Sequence, residues 1–158
     1  MDDAGNSFVV GTFQGSATIG PQTITAPSGV GVFIAKCDVS GATQWARSVA
    51  WGPSITPHGI TVTDDGRIGI VGLYLSSAIF GGTDTIHEVA AFDVFTALFD
   101  PAGDLIWARS IGDIGFDYGA AIDHDSQGNL YVHGEFHISS FNASSARLFV
   151  AKFDDAGD

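Results

Sequence analysis

Apolar residues in this chain fall in short runs rich in Val, Ile, Phe and Trp, each closed by a cluster of Gly, Asp, Pro or Ser. That pattern predicts β-strands joined by tight turns. No window holds a 3.6-residue apolar period long enough for a helix. The middle of the chain shows the layout most clearly. It predicts strands at 58–63, 67–74, 93–99 and 105–111, with a longer excursion at 75–92. The turn Asp100-Pro101-Ala102-Gly103-Asp104 joins the last two strands. Proline presets φ at its second position, and glycine accepts the positive φ that the turn needs.

The same layout recurs at an interval of roughly 62 residues, so the repeat governs the architecture. Phe33-Ile34-Ala35-Lys36-Cys37-Asp38 returns as Phe95-Thr96-Ala97-Leu98-Phe99-Asp100 and as Phe149-Val150-Ala151-Lys152-Phe153-Asp154. Trp45-Ala46-Arg47-Ser48 returns as Trp107-Ala108-Arg109-Ser110. The copies run approximately over 1–57, 58–119 and 120–158 and form one repeat region. Four-stranded units chained head to tail predict an all-β fold of antiparallel β-propeller blades. A two-layer sandwich would not require the same Trp-Ala-Arg at each interval.

A more specific resemblance is carried by the run from Ala120 through Gly128-Asn129-Leu130-Tyr131-Val132 to Phe136, followed by Leu148 to Asp154, and by Asn6 to Phe13 and Gly103-Asp104-Leu105-Ile106-Trp107-Ala108-Arg109. These segments, nearly the whole chain, are similar to the bacterial β-propeller repeat called the SBBP repeat, whose blades resemble those of NHL-type propellers. The chain departs from it at Arg67-Ile68-Gly69-Ile70. The third copy is also eight residues shorter, with 20 residues from Gly134 to Asp154 against 28 from Gly72 to Asp100. With the NHL order of strands, the chain holds strands two to four, one to four, and one to three. These ten strands make about two and a half four-stranded blades. A closed propeller has four to eight blades, and open blade edges template pairing. The expectation is therefore a piece of a longer propeller, or a homo-oligomer that completes its ring.

Composition narrows the partners. A net charge of −12 with only six Lys and Arg argues against nucleic acid, whose binding depends on basic side chains. No apolar run is long enough to span a membrane as a helix. Cys37 takes the slot of Phe99 and Phe153 and reads as a small core residue.

Most recurring residues have structural readings. Gly11, Gly72 and Gly134 are expected to end the second strand, where a Cβ would obstruct a turn or a neighbouring sheet. Phe33, Phe95 and Phe149 are expected at the head of strand three, packing between sheets. Trp45 with Arg47, and Trp107 with Arg109, share a strand face. Each Arg is expected to stack on a ring or to pair with Asp38 or Asp100, and the pairs are also candidates for a carbohydrate platform. Asp123, Asp125 and Asn129 surround a glycine turn and form a candidate calcium site, against the alternative of an acidic β-turn. His133 and His137 are too far apart on a strand to chelate one zinc ion. Glu135 with Asp123 or Asp125 is a candidate acid/base pair. Asn142-Ala143-Ser144 matches a glycosylation sequon.

No catalytic motif is present. The resemblance implies a non-enzymatic structural or interaction module of a bacterial secreted or cell-surface protein, without a required cofactor. Loops 15–30 and 75–91 would present its contacts to protein. The alternative is a glycan-binding propeller that uses calcium.

Overall fold

In the computed structural model, which describes residues 1–140 and 143–158, the predicted units fold as antiparallel meanders. The first copy supplies β1 (Ser7–Ile19), β2 (Gln22–Cys37) and β3 (Thr43–Gly52). The second supplies β4 (Ser54–Val62), β5 (Ile68–Phe80), β6 (Asp84–Phe99) and β7 (Leu105–Ile111). The third supplies β8 (Gly115–His124), β9 (Leu130–Ser140) and β10 (Ala143–Phe153). Each meander pairs its strands in chain order, and no helix occurs among the described residues.

The turns are those the residues predict. In the segment from Asp100 to Asp104, the Asp100 N–H donates to the Asp104 carbonyl and the Gly103 N–H to the Asp100 carbonyl, both at 2.9 Å. Gly103 has φ +85. The Asp100 carboxylate closes the turn from within, accepting the N–H groups of Ala102 and Asp104.

The excursion at 75–92 is not a loop. β5 and β6 continue through it as a hairpin arm, and β1 and β2 do the same in the first copy. Each arm is bent by a bulge at the same repeat position, between Leu75 and Ser77 in one and between Gln14 and Ser16 in the other. The bulge residue has positive φ: Gly15 at +63, Ser76 at +71. A bulge sharpens the local twist, and here it sends the tip back across the outer strand. A Cβ on Gly81 would meet Leu105, and one on Gly20 would meet Thr43.

The bent arm of the second copy also reaches the first. Phe80 pairs with Ala50 and Ile79 with Trp51, so two residue pairs join the first two meanders into a seven-stranded sheet. Among the described residues the shorter third copy shows no such bridge, and β8–β9–β10 pair as a separate sheet.

The second meander is covered on both faces. Ile68, Ile70, Tyr74, Phe95 and Phe99 pack against Val32, Ile34, Val49 and Ala50 of the first. On the opposite face Val71, Val94, Leu98 and Trp107 pack against Ile122, Leu130 and Val132 of the third. Two-sided burial accounts for the nearly continuous apolar run in β5. Each such side chain removed from water contributes about 1.5–3 kcal/mol, so face-to-face stacking dominates the energetics.

The recurring glycines lie inside strands, not at their ends. Gly11 pairs with Phe33, Gly72 with Phe95 and Gly134 with Phe149. Each Phe ring covers the glycine of its own sheet, 2.7–2.8 Å from where a Cβ would sit. At Gly72 and Gly134 the carbonyl oxygens of Thr56 in β4 and Tyr118 in β8 also occupy that space. The obstruction is therefore the ring and the innermost strand, not a turn. The phenylalanines are likewise mid-strand, and Phe95 also packs across the sheet interface.

Candidate interaction surface

The Trp-x-Arg strands latch each copy to the next. Gly103 lies against Trp45 and Arg47, and Gly157 against Trp107 and Arg109. Arg47 donates to Asp104 at 2.7 Å. Arg109 donates to the carbonyls of Gly157 (3.0 Å) and Ala156 (2.9 Å), with its guanidinium 5.6 Å from the Trp107 ring centroid. The ring-stacking expectation holds for Arg109. The expected pairing with Asp38 or Asp100 does not, because those carboxylates are committed to their own turns. The partner instead comes from the following copy. Trp107 is buried and Trp45 is half-buried against Phe8, so both indoles face the inter-sheet seam.

The two hairpin arms frame a groove of ≈ 730 Å³ across the first and second meanders. Thr23 and Thr25 come from one arm, and Thr83 and Asp84 from the tip of the other. Arg47, Ser48 and Asp104 complete a polar lining. Parts of 15–30 and 75–91 line this groove, as paired strands of the arms, together with residues of β3, β6 and β7. At its margin the Ser48 hydroxyl is buried without a partner. Its repeat counterpart, Ser110, accepts from the Tyr74 hydroxyl at 2.7 Å, whereas the first copy has Phe13 in place of that tyrosine.

The residues of the candidate calcium site divide. Asp125 and Asn129 come together across the turn, while Asp123 points outward from β8 with its side chain 87% exposed. Asp125 accepts from the backbone N–H of Gln127 and Asn129, from the Asn129 side-chain amide and from the Tyr131 hydroxyl. These donors, the Asn129 amide foremost, hold its carboxyl down at about 2. Its lone pairs are thus taken up by the turn itself, as in the acidic-turn alternative. Among the described residues, no three His, Cys, Asp or Glu side chains gather as a metal site.

Asp123 pairs with Tyr131, four residues before Glu135 on β9. That offset is about 13 Å along a strand, so Asp123 and Glu135 do not form a carboxylate pair. His133 lies on the same outer face, near exposed Val150. Asn142 and the side chains of His137 and Ser144 lie outside the described residues.

Two buried carboxylates belong to none of the recurring motifs. Asp93 and Asp117 are both fully buried, and each keeps one oxygen without a partner. Asp93 accepts the Val89 N–H at 2.7 Å, and Asp117 accepts the Asp113 N–H at 2.7 Å. They flank the connection between β7 and β8, where the Asp93 carboxylate fills the space beside Gly112. Burial pushes the Asp93 carboxyl up, and the charges of Asp117 and Glu88 add to that. A signal was available, since Asp117 stands where the second copy has the core residue Ile55 and Asp93 where the first has Gly31.

No protein-family profile matches the chain. It is similar to an uncharacterized WD repeat-containing protein of Acanthamoeba polyphaga mimivirus, 23% identical over 172 aligned positions. The match covers 96% of this chain but only 12% of the length of that relative. Together with the antiparallel meanders, this likeness marks a β-propeller-like repeat.

Proposed function

We propose that the chain is a non-catalytic interaction module, a run of β-propeller blades that binds polypeptide in the groove between its first two meanders. The observation that carries this reading is the pair of bent arms. Strands β1/β2 and β5/β6 extend past their meanders, and these arms supply two walls of that groove. Rigid walls lower the ordering cost of binding. The lining of Thr, Ser, Arg and Asp offers hydrogen bonds to a backbone, and the net charge of −12 favours a basic partner. A WD repeat-containing relative supports an interaction role. The SBBP-like repeat points to a secreted or surface-exposed bacterial protein as its setting.

Selection of a displayed random-peptide library against the chain tests the proposal. Basic peptides should emerge, bind more weakly as salt rises, and lose at least tenfold in affinity to a Thr25→Arg/Thr83→Arg variant. Binders indifferent to that variant would move the site elsewhere, and signal confined to a glycan array would replace peptide by sugar.

A further inference from the structure

Strand β3 runs along the groove with its outer edge covered only at the two ends. Near its start, the Gln22 side-chain amide of one arm donates to the Gln44 carbonyl at 3.3 Å. Near its end, the Gly81 N–H of the other arm donates to the Val49 carbonyl at 3.1 Å, and Ala50 and Trp51 pair with Phe80 and Ile79. Among the described residues, no strand pairs with that edge between these two points.

The ladders fix which backbone groups the open stretch presents. Along an antiparallel strand, alternate residues turn their N–H and C=O groups to opposite sides. With the Val49 carbonyl turned to the arm, Ala50 turns to its partner Val32 in β2. β2 keeps its register from Val30 to Cys37 against β1, so Ile34 and Lys36 face the same way as Val32. Their partners Arg47 and Trp45 therefore also turn inward. Ala46 and Ser48 are left with their N–H and C=O groups turned outward, and both residues line the groove.

An unpaired edge is a template for another strand, and folds ordinarily blunt it. Here the arms close its ends and leave its middle free. Two side-chain atoms beside it are also uncommitted, since Ser48 Oγ and Gln22 Oε1 are buried without a partner. Trp45 to Val49 spans about 13 Å, the length of a five-residue strand. Asp84, on the facing wall, offers a carboxylate to a cationic side chain.

We propose that the ligand of the groove is an extended peptide that adds to the β3 edge at Ala46 and Ser48 as a further strand, held between the two arm tips with a Lys or Arg side chain at Asp84. This rests on the binding reading above and deepens it. In this mode main-chain hydrogen bonds supply affinity and alternate side chains supply selectivity.

The test uses the full chain and the pentapeptide acetyl-Thr-Lys-Val-Lys-Thr-amide. In the free chain the Ala46 and Ser48 amides should exchange fast, and saturation with the peptide should slow both at least tenfold. Methylating the peptide nitrogens one at a time should give an alternating pattern. One alternate set loses about tenfold in affinity for each lost hydrogen bond, and the other set changes little, because an added strand turns every second N–H to its partner. Slow exchange at Ala46 and Ser48 in the free chain overturns the proposal, as does binding that leaves them fast or that is equally sensitive at every nitrogen. A pentapeptide that fails to bind while displayed basic peptides succeed overturns it too. In each of those cases, loss of peptide binding in the Thr25→Arg/Thr83→Arg variant leaves the groove reading standing and removes only strand addition. Failure of the pentapeptide and of every displayed peptide removes both.

Discussion

One substitution made at three equivalent sites separates the innermost strand's contribution from that of the Phe ring. At Gly11 an added Cβ would meet only the Phe33 ring, at 2.8 and 3.0 Å. Phe33 is half-buried and can tilt. Replacing a strand glycine by alanine also recovers roughly 0.5–1 kcal/mol of backbone entropy. Gly11→Ala should therefore fall within about 0.5 kcal/mol of the parent, in the range of ordinary surface changes. At Gly72 the new methyl would lie 2.7 Å from the Phe95 ring and 2.7 Å from the Pro57 Cα, and would overlap the Thr56 carbonyl oxygen. At Gly134 it would overlap the Tyr118 carbonyl oxygen and the Phe149 ring. Paired backbone cannot yield as a ring can, so overpacking of about 2–3 kcal/mol is expected at both sites. Urea unfolding of the three variants measures the difference through the midpoint, provided that the slope stays constant. Equal losses at all three positions would show that the ring alone forbids a side chain, and would refute the role assigned to β4 and β8.

Two further outcomes follow from strain and from buried charge. Ser76 holds φ +71 where the first copy has Gly15. The left-handed conformation costs a non-glycine residue about 1–2 kcal/mol, so Ser76→Gly should raise stability by about 0.5–1 kcal/mol after the entropy loss of glycine. An unchanged or lower thermal midpoint would contradict this. Asp93, whose pKa is raised by burial, binds a proton more tightly in the folded state. Its contribution to stability therefore falls as pH rises through the folded value and recovers on acidification towards the unfolded one, about 3.9. Asp93→Asn keeps an acceptor for the Val89 N–H and removes the charge, so it should stabilise by about 1–3 kcal/mol at pH 7 and bring little change near pH 4. Parallel urea midpoints for parent and variant from pH 4 to 8 would sink that account.

Much of the fold was legible because its signals are local. The predicted strand 105–111 is β7 to the residue, and the turns at Gly66 and Gly103 have the φ values that their glycines imply. Strand length in the excursion was not legible. Thr85, His87 and Glu88 break up the apolar residues of an exposed arm, with His87 and Glu88 adjacent, and the bulge at Ser76 carries no glycine to announce it. The latch was only half legible. The recurrence of Trp and Arg was plain, but their partner lies in the next copy, 57 residues from Arg47 at Asp104.

The primary structure alone settled the strand class, the turn chemistry and the repeat interval, because each depends on neighbours within a few residues or on the likeness of copies. Tertiary structure decided which turn fills which Trp-x-Arg cradle and which arm reaches the preceding sheet. It also decided that Asp93 and Asp117 lie buried on either side of one connection. Those outcomes depend on distances between copies, and no spacing along the chain encodes them. The candidate groove belongs to the second group, since its walls come from arms some sixty residues apart that meet only once the sheets have stacked.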